Sequence, residues 1–314
     1  MKKGIISLGE ALIDFIPMDH ENLTYQKSPG GAPANVAVGV ARLELPSTFI
    51  GKVGNDVLGK FLKKTLRDYG VNTDFLLFTD DTRTGVVFVT LKDGERSFDF
   101  YINPSADRLL NEEDIEEELF ETHKVLHFGS ISLIGEPSRS ATKKAVSLAR
   151  QYGLIVSYDP NLRLSLWEKE EAARSQILSM LSYADILKIS EEELEFITGE
   201  KDIVKGVTAL ETYNLPLILI TLGEGGSYVF TKDGQKHVSA RKIKTVDSTG
   251  AGDAFVSGIL YQVHEYDGDI RNISLTEAVR MAHFASVSGS LAASEKGAMT
   301  ALPSLEKVQS ILGN

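Results

Sequence analysis

The chain has 314 residues, long enough to bury a large core, and a formal net charge of -11. An acidic balance of this size argues against a general nucleic-acid or anionic-membrane binder, since either needs a concentrated basic face. With no cysteine there can be neither a disulfide nor a thiolate metal site.

In chain order, short β-rich runs alternate with helical patterns, the rhythm of a mostly parallel sheet with helices on both faces. Residues 4–9 read as a first strand and 12–16 as a further extended run, in which Asp14 is an odd polar residue among apolar ones. The Lys2-Lys3 start and the apolar run to Met18 outline a secretory leader, but Glu10 and Asp14 interrupt it and no small-residue cleavage site follows. A cytoplasmic protein without a membrane span is therefore expected, with the sequons at Asn22 and Asn272 chance matches.

Gly30-Gly31-Ala32-Pro33 breaks the chain before an apolar helix at 34–43, and 48–53 is a strand. Asp56 caps the next helix, which presents Val57, Phe61, Leu62, Leu66 and Tyr69 on one face and stops at Gly70. Residues 84–101 change the rhythm. Val87, Val89 and Leu91 alternate with Phe88 and Thr90, Asp93-Gly94 is a hairpin turn, and Phe98 and Phe100 share a face of the returning strand. With 12–25, this hairpin is read as a small separate sheet forming a lid; an ordinary edge hairpin has the same pattern.

From Lys124 the alternation resumes: strands at 124–128, 154–158, 184–188 and 216–222, with helices at 137–152 and 169–182 between the first three. Asp159-Pro160-Asn161-Leu162-Arg163 follows a strand, on the side where open α/β sheets bind ligands. Ser190 opens the next helix, Gly223-Glu224-Gly225-Gly226 ends a strand, and 228–238 holds a second hairpin. Helices at 250–264 and 274–293 close the chain, the second with a capping-box pattern at Ser274 and Glu277.

The turn Gly250-Ala251-Gly252 before Asp253 uncovers backbone N–H groups at the head of an apolar helix, and such a helix start attracts anions. A plain helix start with a first-turn acid fits the same residues equally well. Gly54 to Lys60 has P-loop spacing, but Phe61 replaces the metal-binding hydroxyl, so the segment is read as structural. No strand is followed by Gly-x-Gly-x-x-Gly, and the six histidines lack metal-ligand spacing. The acidic runs at 112–118 and 168–171 read as solvated helix faces.

Two stretches decide between these readings. Gly30 to Ala37, with Gly51, Gly54 and Gly59 downstream, resembles the N-terminal signature of the PfkB-type, ribokinase-like sugar kinases. Asp247 to Asp253, followed by Ser257-Gly258, resembles their C-terminal signature, in the family's order and spacing. Glu44 departs from the family's usual Gly or Ser and is expected to affect a turn.

The resemblance implies one α/β kinase domain over 1–314, with a lid inserted from about residues 12–25 and 84–102; an exposed face of the lid sheet could pair with a second subunit as a homodimer or remain solvated. By the same resemblance Asp253 is the general base, and Gly250, Ala251 and Gly252 form the anion hole for the transferring phosphoryl group. Asp14, Gly30, Gly31, Asn35, Phe100 and Arg163 fall at sugar-binding positions. Ser190, Thr221, Gly223 and Gly226, with Gly250 and Gly252, fall on the ATP side. Ser190 and Glu193 stand where the family has Asn-x-x-Glu, tied to magnesium, and they also compose an ordinary capping box. Asp247, Thr249, Ala292 and Gly297 resemble a monovalent-cation loop, which implies K+ beside ATP and Mg2+.

The expected activity is transfer of the ATP γ-phosphoryl group to a primary hydroxyl of a sugar. The alternatives are a 2-keto-3-deoxygluconate or nucleoside kinase and, from another class, a silent sugar sensor or scaffold. Fructose is preferred because residues 94–107 and 159–167 resemble fructokinases of this family. The positions after Phe100-Tyr101, Ile102 and Asn103, also lack the Arg that would meet an acid sugar, and burying a carboxylate without a partner costs roughly several kcal/mol or shifts its pKa, which disfavours an anionic sugar. Many fructokinases have Arg where Ile102 stands, and Arg163 remains as a partner for an acid sugar or a phosphate.

Overall fold

A computed structural model describes residues 2–92 and 95–313; the expected turn at Asp93-Gly94 lies outside the described residues. The first strand, β1 (Ile5–Leu8), is buried along its whole length and enters the middle of a nine-stranded sheet. After it come β2 (Leu12–Pro17), β3 (Tyr25–Gly30), α1 (Ala32–Arg42), β4 (Ser47–Gly54), α2 (Val57–Asp68) and β5 (Leu76–Thr79). A hairpin of β6 (Val86–Lys92) and β7 (Glu95–Tyr101) follows.

The second half begins with α3 (Glu118–Thr122), β8 (Val125–Phe128), α4 (Ser138–Gln151), β9 (Ile155–Tyr158), α5 (Glu170–Leu181) and β10 (Ile186–Ser190). Next are α6 (Glu191–Thr198), α7 (Ile203–Ala209), β11 (Leu217–Thr221) and the edge hairpin β12 (Ser227–Thr231) with β13 (Gly234–Val238). Three helices end the chain: α8 (Ala251–Glu265), α9 (Leu275–Ala293) and α10 (Leu305–Leu312).

The large sheet runs β13-β12-β11-β10-β9-β8-β1-β4-β5, parallel except at the β12 and β13 edge. Each face is apolar and covered, as a parallel sheet requires. On one side α4, α5 and α6 pack over a core in which the rings of Phe128 and Tyr158 stack 4.5 Å apart. On the other, α1, α8 and α9 contribute Val36, Val40, Leu260 and Met281. The chain leaves β1 toward β4 on one side and returns to β8 on the other, so the strand ends around β1 form the crevice where open sheets take ligands.

The second sheet, β3-β2-β6-β7, joins two antiparallel hairpins through a parallel pairing of β2 with β6. Its register sets Ser28, Asp14, Val87 and Phe100 in one row across the four strands. Paired residues point to one face, so the polar Asp14 is aimed to the same side as Phe100. The sheet takes in Tyr25–Gly30 as well as the 12–25 segment expected from sequence.

Other differences from the sequence expectations have simple causes. Helix α1 starts at Ala32 rather than 34 because Pro33, which lacks the N–H that a first turn leaves unpaired, is accommodated there behind the N-cap Gly31. Val57 is 74% exposed, since it opens α2 on the side away from the buried Leu62 and Leu66. Asp56 caps that helix through the Leu58 and Gly59 N–H groups, which leaves Gly59 helical rather than in a phosphate loop. The short elements β5, α3, α7 and α10 carry too few residues for a period to register. Glu44 turns the chain after α1 with φ 65°. Among the described residues no helix is long and apolar enough to cross a membrane.

Candidate active site

The site is built on the first turn of α8. Gly250, its N-cap, is left-handed at φ 76°, and a Cβ there would lie 3.1 Å from the Ala298 Cα, so the turn needs glycine on both counts. The Ala251 N–H donates to the Ser248 carbonyl and the Ala254 N–H to that of Gly250. The N–H groups of Gly252 and Asp253 find no acceptor among the described residues. They stand at the positive end of a 15-residue helix, the arrangement that holds an anion.

Asp253 is only 8% exposed, and its Oδ2 accepts a hydrogen bond from Asn35 Nδ2 at 2.8 Å. Burial pushes its carboxyl up to about 6, against the pull of the Asn35 amide and of Lys188 and Arg163, while Asp159 adds to the rise. A carboxylate tuned toward neutrality is suited to taking a proton from a hydroxyl. Asn35, buried in α1, keeps its Oδ1 without a partner. The amide end of Asn35 thus faces Asp253, and its oxygen end is enclosed.

Asp14 is half-buried, and burial lifts it to about 6, opposed by the nearby Arg163 guanidinium. Its carboxylate presses on Gly30, where a Cβ would lie 2.2 Å from Oδ2. Any larger residue there would push Asp14 aside. Glu10, at the end of β1, accepts from the Ala32 N–H at 3.1 Å, and burial raises it to about 8. Sequence reading had taken Glu10 only as an interruption of an apolar run. Ile102 is buried, and Arg163 is exposed at the rim.

Beside the α8 turn lies a cavity of about 900 Å³ lined by Thr221, Gly223, Gly226, Ala251 and Gly252. The segment from Ala240 to Thr245 and the helix residues Phe255, Ser286 and Gly289 complete its wall. No sequence signal marks these, because the segment is coil without a motif and the helix residues are spaced as core. Ser190 is not part of that wall. It lines a second hollow of about 370 Å³ with Arg163, Lys188 and Glu193. The Ser190 and Glu193 capping box is formed, with the Ser190 N–H on Glu193 Oε2 at 2.7 Å and the Glu193 N–H on Ser190 Oγ at 3.1 Å. Glu193 Oε1 also accepts from the Leu162 N–H at 2.6 Å, tying the end of β9 to α6.

The loop before α8 is organised around Asp247, which is 6% exposed. Its Oδ1 accepts from the Thr249 N–H and hydroxyl at 3.1 and 2.7 Å, and its Oδ2 from the Gly297 N–H at 3.2 Å. The Ala292 carbonyl accepts from the Glu295 N–H. Between the two hollows, Lys188 bonds Asp159 at 3.0 Å, a buried ion pair that sequence reading did not single out.

The family model for pfkB family carbohydrate kinases matches residues 2–305. Fructokinase-1 of Oryza sativa subsp. japonica is 43% identical over 316 residues, covering 98% of this chain and 97% of its own. A double mutant of Vibrio cholerae O395 fructokinase, solved with fructose, ADP and a potassium ion, is 40% identical with a TM-score of 0.90, over 99% of this chain and 98% of that one. Xylella fastidiosa fructokinase, solved with ATP, is 35% identical with a TM-score of 0.94 and the same coverages. A family match over nearly the whole length, with these relatives, shows that the chain belongs to the pfkB family of carbohydrate kinases.

Proposed function

We propose that the chain is an ATP-dependent fructokinase that phosphorylates the 6-hydroxyl of fructose. The observation that carries the reading is the buried Asp253–Asn35 pair beneath the unpaired N–H groups of Gly252 and Asp253. It brings a carboxyl suited to accept a proton next to N–H groups suited to hold an anion, beside the larger cavity. Relatives solved with fructose, ADP and ATP support the two substrates.

In this reading Asp14 takes sugar hydroxyls, Asn35 stands on the sugar side with its amide holding Asp253, and Phe100, in the Asp14 row, covers an apolar edge of the ring. Gly30 and Gly31 keep the backbone close enough for that contact. Asp253 accepts the proton of the 6-hydroxyl as its oxygen bonds to the γ-phosphorus, and the bond to the β,γ-bridging oxygen breaks to leave ADP. The Gly252 and Asp253 N–H groups stabilise the equatorial oxygens as charge spreads over them. Thr221, Gly223 and Gly226 line the wall for the nucleotide. The small sheet acts as the lid of the single kinase domain, and its closure excludes water that would otherwise receive the phosphoryl group.

No group of three or more His, Asp or Glu side chains among the described residues forms a metal cage. Mg2+ would accordingly enter on the nucleotide phosphates, with Glu193 its protein neighbour through water, and would neutralise phosphate charge. The Asp247 loop, braced by Thr249 and Gly297, fits a monovalent cation held with the help of the Ala292 region. A cytoplasmic location agrees with the absence of cysteine. Exposed Phe98 and Tyr101 on the small sheet suit a homodimer through the lid, which light scattering of the purified protein tests. For the activity itself, specificity constants across fructose, 2-keto-3-deoxygluconate, ribose and adenosine decide, with fructose expected first. An acid sugar ahead of fructose would overturn the charge argument and point to Arg163.

A further inference from the structure

A lysine in the middle of an apolar strand needs a reason. Lys188 sits between Leu187 and Ile189 in β10, flanked on both sides by parallel strands, and its side chain is 12% exposed. Its ammonium is held by Asp159 Oδ2 at 3.0 Å, and Asp159 is fixed in turn by the Asn161 N–H on its Oδ1 at 3.1 Å. One of the three Nζ donors is thus used, and no other acceptor is bonded to it among the described residues.

Where that ammonium points is the informative part. A Cβ placed on Gly252 would lie 3.6 Å from Lys188 Nζ, so the charge stands over the first turn of α8. A cation at the positive end of a helix has the wrong sign for stability. Asp159 and Asp253 offset part of that charge, and an anionic group entering between Nζ and the uncovered N–H groups would be met by both. Lys188 also lines the hollow that holds Ser190 and Glu193, while Gly252 lines the larger cavity, so Nζ stands where the two meet.

We propose that Lys188 is a further catalytic residue: held by Asp159, its ammonium bonds an oxygen of the phosphoryl group in transfer, beside the Gly252 and Asp253 N–H groups. The proposal rests on the kinase reading of the α8 turn and adds a residue that neither sequence signature contains. The charges of Asp159, Glu193 and Asp253 offset the burial of Lys188 and keep it an ammonium. As charge spreads over the equatorial oxygens, a fixed cation strengthens its hold in the transition state more than in the ground state.

The test compares Lys188→Met, Lys188→Arg and the double variant Lys188→Met with Asp159→Asn, which leaves no buried charge unpaired. With fructose and ATP, kcat is expected to fall about 10²-fold or more in both Met variants, as for loss of one transition-state donor, and to recover in part in Lys188→Arg. Calorimetric binding of the non-hydrolysable triphosphate AMP-PNP should weaken about tenfold while ADP binding stays unchanged, since the lost bond is to the third phosphate. A folded double variant that turns over near the wild-type rate overturns the proposal. So does an equal loss of AMP-PNP and ADP affinity, which marks a structural role. If the wild type rejects fructose but the Met variants still lose AMP-PNP selectively, the substrate assignment fails and Lys188 stands.

Discussion

Asp253→Asn should make the protein more stable and nearly inactive at once. Burial raises the Asp253 carboxyl to about 6 from an ordinary 3.8. At about 1.4 kcal/mol per pH unit, keeping it ionised costs the folded state about 3 kcal/mol. The sign follows from a folded value above the unfolded one: the folded chain holds the proton more tightly, so stability declines as pH rises from about 4 to about 6. Asparagine can still accept from the Asn35 amide but carries no charge. The variant's advantage should therefore be about 3 kcal/mol at pH 8, about half that at pH 5, and small at pH 4, read from urea unfolding at each pH. Turnover should fall about 10²-fold or more, as for a lost general base. A variant no more stable than the wild type at pH 8, or a stability gap that ignores pH, would refute the reasoning. Near-normal turnover would remove Asp253 from the chemistry.

Three further outcomes are expected. The fructose kcat/KM should fall as pH drops through about 6, where Asp14 and Asp253 both take up protons and titrate as a pair; a flat profile down to pH 5 counts against both roles. Replacing potassium with sodium or tetramethylammonium should lower turnover several-fold through the Asp247 loop, and equal rates in all three salts would exclude that loop as a cation site. Glu44→Gly should raise stability by about 0.5–1 kcal/mol, because Glu44 occupies a left-handed turn at φ 65°; an unchanged or lower urea midpoint would show that the turn stores no strain.

The alternating strands and helices were legible because buried parallel strands are short apolar runs and their helices carry a 3.6-residue period. The positions of Asp253 and Asn35 followed from glycine-rich breaks ahead of apolar helices, and the two signatures gave them roles. What sequence could not supply was distance. Nothing local to Lys188 or Asp159 says that the two meet, and their spacing of 29 residues has no period to read. The part of the larger cavity's wall at 240–245 is coil, so neither propensity nor pattern marks it. Glu10 reads as a blemish in an apolar run because its hydrogen-bond partner, the Ala32 N–H, belongs to another element 22 residues on.

The bond between Asn35 and Asp253 joins residues 218 positions apart, and this has a consequence for how the molecule is made. A ribosome that has produced all the strands of both sheets, through β13, has yet to produce α8. Asn35 therefore emerges early and Asp253 late, so a chain cut short before α8 lacks the bond between them altogether. Until α8 docks against α1, the Asn35 amide can bond water in place of Asp253. Closing so long a loop carries an entropic cost that local contacts do not, and α9 and α10 must still pack before the core is complete.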